Sequence, residues 1–126
     1  MNPDLLFFFE KEPGALQLYQ VLEARLKALL PEMGVKVGKS QISFTLHRQF
    51  GCASLLKVGR AAQRPHPYLT VTFGLDHPVE SPRIVGKTEP YPRRWTHHVL
   101  VGTPEEVDAE LLGWLQEAAW FSASKR

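Results

Sequence analysis

YLTVTFGL, residues 68–75, decides how this chain is read. Leu69, Val71, Phe73 and Leu75 alternate with Tyr68, Thr70, Thr72 and Gly74. A period of two sends the first set to one face of a strand and the second to the other. One face is apolar and the other is largely hydroxyl-bearing, so the strand fits a sheet covered on one side. Upstream, Ile42, Phe44 and Leu46 alternate in the same way with Gln41, Ser43, Thr45 and His47. A short strand at 34–37 precedes them, broken off at Gly38, and FGCASLLKV (50–58) reads as a third strand of mixed pattern. Downstream, Arg94–Val101 reads as the last strand, ended by Gly102. Between the two lie a turn-rich connection (76–82) and a Pro-punctuated stretch to Arg93, read as an irregular loop.

Outside the strands the period changes. Pro13 opens a helix, a position where its missing N–H costs nothing. Leu16, Tyr19, Val21, Leu22, Leu26, Leu29 and Leu30 follow near a 3.6 repeat, and Pro31 stops it. Residues 1–12 read as an edge strand or a turn of helix beneath the body. At the other end Thr103, Pro104 and Glu106 form a capping-box pattern before an apolar stripe of Val107, Leu111, Leu112, Trp114, Leu115, Ala118 and Phe121. Two amphipathic helices and a sheet with one apolar face have one economical packing. The expectation is an α+β fold in two layers: an antiparallel sheet of about five strands with an N-terminal and a C-terminal helix on one face.

The length of 126 residues suits a single domain spanning 1–126. One cysteine, Cys52, permits no internal disulfide. The N-terminus shows no signal-peptide pattern, and Leu5–Phe9 is too short for a membrane span. A cytoplasmic protein without a membrane partner is expected. The net charge of +2 conceals an asymmetry. Residues 34–98 carry ten Lys/Arg against three Asp/Glu and all five histidines, while both flanks are net acidic.

That basic middle holds the candidate chemistry. His97 and His98 are neighbours in a strand and point to opposite faces, so they cannot share a metal there. His97 falls on the apolar side with Trp95, Val99 and Val101, as a buried histidine hydrogen-bonded to a backbone or carboxylate group. His98 falls on the polar side with Arg94 and Thr96. No Cys-x-x-Cys or His-Glu-x-x-His spacing occurs, and neither a metal nor a cofactor is expected. No nucleophile motif surrounds the serines, and Cys52 reads as a small buried hydrophobe. Paired carboxylates are missing from the middle segment, which weighs against glycoside hydrolysis and Mg²⁺-dependent nuclease chemistry.

KSQISF (39–44), SPRI (81–84), RWTHHV (94–99) and ELLGWLQEAAWFS (110–122), together with FFEKEPGALQLYQVL at the start, resemble the bacterial domain-of-unknown-function family 5655. The resemblance covers nearly the whole chain and implies a stand-alone member. That family is uncharacterised; members occur alone or attached to other domains, including proteins labelled predicted transport proteins. It implies shared polar positions at Lys39, Gln41, Arg83, Arg94, His97 and His98. The leading expectation is a binding module for an anionic ligand, either a nucleotide, another phosphate-bearing molecule or a protein carboxylate. Nucleic acid is a variant of that idea. The alternatives are a histidine-dependent enzyme and an interaction module, such as a homodimer formed through the open sheet face or through Trp120.

Overall fold

The computed structural model describes residues 2–124. Helix α1 (Pro3–Phe8) is capped by Asn2, whose Oδ1 accepts the Asp4 N–H at 2.8 Å. Helix α2 (Pro13–Leu29) starts on proline and ends two residues before Pro31, with Leu30 as its C-cap. Six strands follow: β1 (Gly34–Val37), β2 (Ile42–Leu46), β3 (Arg48–Ser54), β4 (Leu69–Leu75), β5 (Ile84–Tyr91) and β6 (Arg94–Val101). Helix α3 (Ala109–Ser124) closes the order. The strands form one open antiparallel sheet in the order β1-β2-β3-β4-β6-β5. The fold is α+β, as the alternation implies. No helix among the described residues is long and apolar enough to cross a membrane.

The helices lie on the face presented by Phe44, Val71, Phe73, Leu75 and Val99. Tyr19 of α2 stacks on Phe44 of β2 with ring centroids 6.3 Å apart. Trp114 of α3 stacks on Phe73 of β4 at 5.8 Å. A bulge between Phe44 and Thr45 shifts the register against β3. Phe50 and Gly51 lie there, with Phe50 4% exposed and packed on Phe44. Gly51 lets both neighbours approach: a Cβ would stand 2.7 Å from the Thr72 carbonyl oxygen of β4 and 3.5 Å from Leu115 Cδ2 of α3.

Three sequence expectations change. The stretch 84–91 is a sixth strand, not a loop. Pro90 survives there because β5 is an edge strand, where a missing N–H breaks no ladder. The third strand ends at Ser54, and residues 55–67 leave the sheet as a loop that folds over its open face. The Leu55 carbonyl accepts the Tyr68 hydroxyl at 2.8 Å, and the Leu56 carbonyl accepts Thr70 Oγ1 at 2.7 Å. The capping box at Thr103 closes a 3₁₀ turn (Pro104–Glu106) instead of starting α3. Asp108 supplies the helix cap, its carboxylate accepting the Leu111 N–H at 3.0 Å.

Candidate functional site

The register strings one polar row across the uncovered face. Lys36 stands beside Ser43, Ser43 beside Cys52, Cys52 beside Thr72, Thr72 beside His98, and His98 beside Gly86. In the adjoining row Gly74 pairs with Thr96 and Thr96 with Thr88. None of these positions carries a carboxylate. Loop 55–67 roofs the far end of this same face, where Ser54 and Thr70 are buried.

His98 sits at the centre of what remains open. Its Nδ1 lies 2.8 Å from Thr72 Oγ1. Nε2 makes no hydrogen bond within the described residues, so the Thr72 contact leaves it available to a ligand. Partial burial pulls the imidazole below the ordinary histidine pKa, which keeps it neutral at pH 7. In the tautomer where Thr72 donates to Nδ1, the proton of the neutral ring resides on Nε2. Gly74 leaves open space beside Thr96, while Gly86 on the other side of β6 makes room for the His98 ring, whose Cδ2 would stand 3.4 Å from a Cβ there. A shallow hollow of about 200 Å³ opens over Gln49, Cys52, Thr72, Gly74 and Thr96. Burial pushes the Cys52 thiol up despite a hydrogen bond with Thr72, so it rests as an un-ionised thiol.

His97 faces the other way, fully buried and stacked on Phe73 at 4.9 Å. Its Nε2 accepts the Val79 N–H at 3.0 Å, tying down the connection from β4 to β5. Among the described residues, Nδ1 of His97 is the one buried side-chain nitrogen or oxygen without a hydrogen-bond partner. Burial lowers this pKa also. The nearby peptide groups of Phe73 and Trp95 oppose the shift, while electrostatic repulsion from the His77 and Lys87 side chains adds to it. The strand alternation had separated the two histidines, and they stand apart as expected.

The other residues of the implied cluster do not meet them. Lys39 is exposed in the β1–β2 turn, beside a hollow of about 360 Å³ lined by the apolar Phe7, Phe8, Val37 and Leu55 and the charged Asp4, Glu10 and Lys11. Gln41 is at the same end and donates to Ser43 Oγ at 3.0 Å. Two strands lie between β2 and β6, a separation of about 14 Å at ~4.8 Å per strand. Arg94 is exposed at the start of β6. Arg83 precedes Ile84, which pairs with Val99 at the other end of that strand, roughly 17 Å away at ~3.3 Å per residue. Lys39, Arg83 and Arg94 therefore occupy three different corners and cannot grip one small anion together.

Arg83 is committed elsewhere. Its Nη1 donates to both oxygens of Asp108 at 2.8 and 3.0 Å and to Glu110 Oε1 at 3.0 Å. Its Nη2 donates to the Glu106 carbonyl at 2.7 Å, and the guanidinium lies 5.9 Å from the Trp114 ring centroid. Slight burial opposes the effect, but hydrogen bonds from Arg83 and the Leu111 N–H hold the Asp108 carboxyl below its ordinary value. The side chain is a clamp between β5 and the start of α3. Arg83→Ala is expected to lower stability by about 1–2 kcal/mol, read as a shift in urea midpoint. Arg83→Lys should recover less than half of that, because an ammonium cannot reproduce the forked geometry. An unchanged midpoint for Arg83→Ala would show the clamp to be inert.

Sequence alternation had placed Thr72 on the polar face, but nothing in the sequence paired it with His98, 26 residues away. That pairing depends on β6, not β5, lying next to β4. No curated protein and no solved structure matches the chain. The family model described as domain of unknown function DUF5655 matches residues 7–121, and the chain belongs to that family.

Proposed function

We propose that the uncovered sheet face binds a small anionic ligand, with His98 as the central donor. The observation that carries this reading is the Thr72–His98 pair, which leaves a neutral imidazole with Nε2 presented on a floor of hydroxyls free of carboxylates. A neutral N–H and hydroxyls can donate to phosphate or carboxylate oxygens without the desolvation cost of a buried cation. Arg94 at one end of the face and Lys36 at its edge add long-range attraction. The open backbone at Gly74 suits a planar group, which favours a nucleotide over a bare carboxylate. Arg83 is left out of this site because the α3 junction occupies its donors.

The test is a calorimetric titration of the chain with ADP, alongside inorganic pyrophosphate. Binding of ADP is expected, weakened about tenfold or more in His98→Ala, the loss of one or two good hydrogen bonds to a charged ligand. Arg94→Ala should weaken it less, and more so at low salt. Equal affinity in the wild type and His98→Ala, or no binding of either anion, removes the proposal.

A further inference from the structure

On the helix side of the sheet, three groups outside the proposed binding face converge. Asp76 and His77 follow β4 directly, and Glu117 reaches them from α3. One potential ligand atom from each lies within 4.8 Å of the others. His77 Nδ1 is 2.7 Å from Asp76 Oδ1, and its Nε2 is 3.4 Å from Glu117 Oε2.

The two contacts differ in kind. The first is a good hydrogen bond, and it helps hold the Asp76 carboxyl below its ordinary value. The second is longer than the usual range of about 2.7–3.2 Å for an N–H donating to oxygen. It matches another geometry. Zinc takes imidazole nitrogen at ~2.0–2.1 Å and carboxylate oxygen at ~2.0–2.2 Å, and at a tetrahedral angle those bonds set the two atoms about 3.3–3.5 Å apart. Asp76 completes the pattern: a carboxylate holding Nδ1–H fixes the tautomer in which Nε2 carries the lone pair.

We infer that His77 and Glu117 form a binding site for a zinc-like divalent cation, oriented by Asp76, with water completing the coordination. An imidazole–carboxylate pair selects such borderline metals over Mg²⁺ and Ca²⁺, which prefer all-oxygen sites. All three side chains are about half exposed, so an ion can enter from solvent. The charge of Arg93, felt at Asp76, opposes cation binding and keeps the site moderate in affinity. The ion would staple the β4–β5 connection to α3. That connection already hangs on the Val79–His97 bond and the Lys87–Glu80 pair at 2.6 Å. The ligands escape a search for metal motifs because 40 positions of sequence separate them.

The test is calorimetry of the untagged chain with Zn²⁺, Mg²⁺ serving as control. One zinc per chain is expected, with a rise in melting temperature and no response to Mg²⁺. His77→Ala and Glu117→Gln should each weaken binding about tenfold or more, as should Asp76→Asn through the lost orientation. The side chains are exposed, so all three variants should fold. Absence of zinc binding overturns the assignment. So does affinity unchanged in His77→Ala and Glu117→Gln, which would place the ion on the other histidines.

Discussion

Phe73→Ala is expected to cost about 3–5 kcal/mol, the usual range for emptying a buried aromatic site. Phe73 is 1% exposed and joins the two layers. One ring face meets His97 at an interplanar angle of 11°, and Trp114 of α3 stacks at 22°. Both neighbours are rigid rings, so the cavity cannot close by a rotamer change. A domain of this size has roughly 5–15 kcal/mol in total, so the variant should be close to unfolding at physiological temperature. Phe73→Leu keeps most of the volume and should cost under about 2 kcal/mol. Urea denaturation followed by circular dichroism measures both. A loss below about 1 kcal/mol for Phe73→Ala would mean that the α3–sheet contact is not the centre of the core.

The second large effect is a loss of stability in mild acid. His97 and His98 both titrate below the ordinary histidine value in the folded chain. The unfolded chain therefore binds more protons as the pH falls below about 6.5, and the folded state is disfavoured. Stability is full above that pH. It falls by up to about 1.4 kcal/mol per pH unit for each histidine until its folded pKa is reached, and the penalty is then constant. His97 is the sharper case, because a proton on Nε2 would face the Val79 N–H that this nitrogen now accepts. Asp76 and Asp108 act in a separate window. Their pKa values are depressed, so the stability they add persists above the unfolded value near 3.8 and is lost below it. Denaturant midpoints at pH 7 and pH 5 isolate the histidines. The wild type should lose stability between them, and His97→Gln, which keeps an acceptor for Val79, should lose distinctly less. Equal losses in both proteins would contradict this account of His97.

Much of the fold was legible because its signals are local. Alternation at Leu69–Leu75 and Ile42–Leu46 set the faces, and Pro13, Pro31 and Gly102 marked element ends. β5 was not legible. Its prolines are ordinary loop signals, tolerated here only because the strand lies at an edge, and edge position is a property of topology. Alternation also placed His97 in the core and His98 outside it. The clustering of charged residues implied by resemblance was a statement about space that spacing could not test. Arg83 shows the difficulty: an arginine before a strand reads alike whether it awaits an anion or already holds Asp108 and Glu110. The partners are 25 and 27 residues away, and only the return of α3 across the sheet brings them near.

The central claim is that the uncovered face around His98 is the binding surface. Backbone amide shift mapping during a titration with ADP tests it most directly. The account predicts shifts concentrated at Cys52, Thr72, Gly74, Gly86, Thr96 and His98, with the Arg83–Asp108 junction unmoved. Shifts centred on Arg83 or Lys39, or none at millimolar ADP, would contradict it.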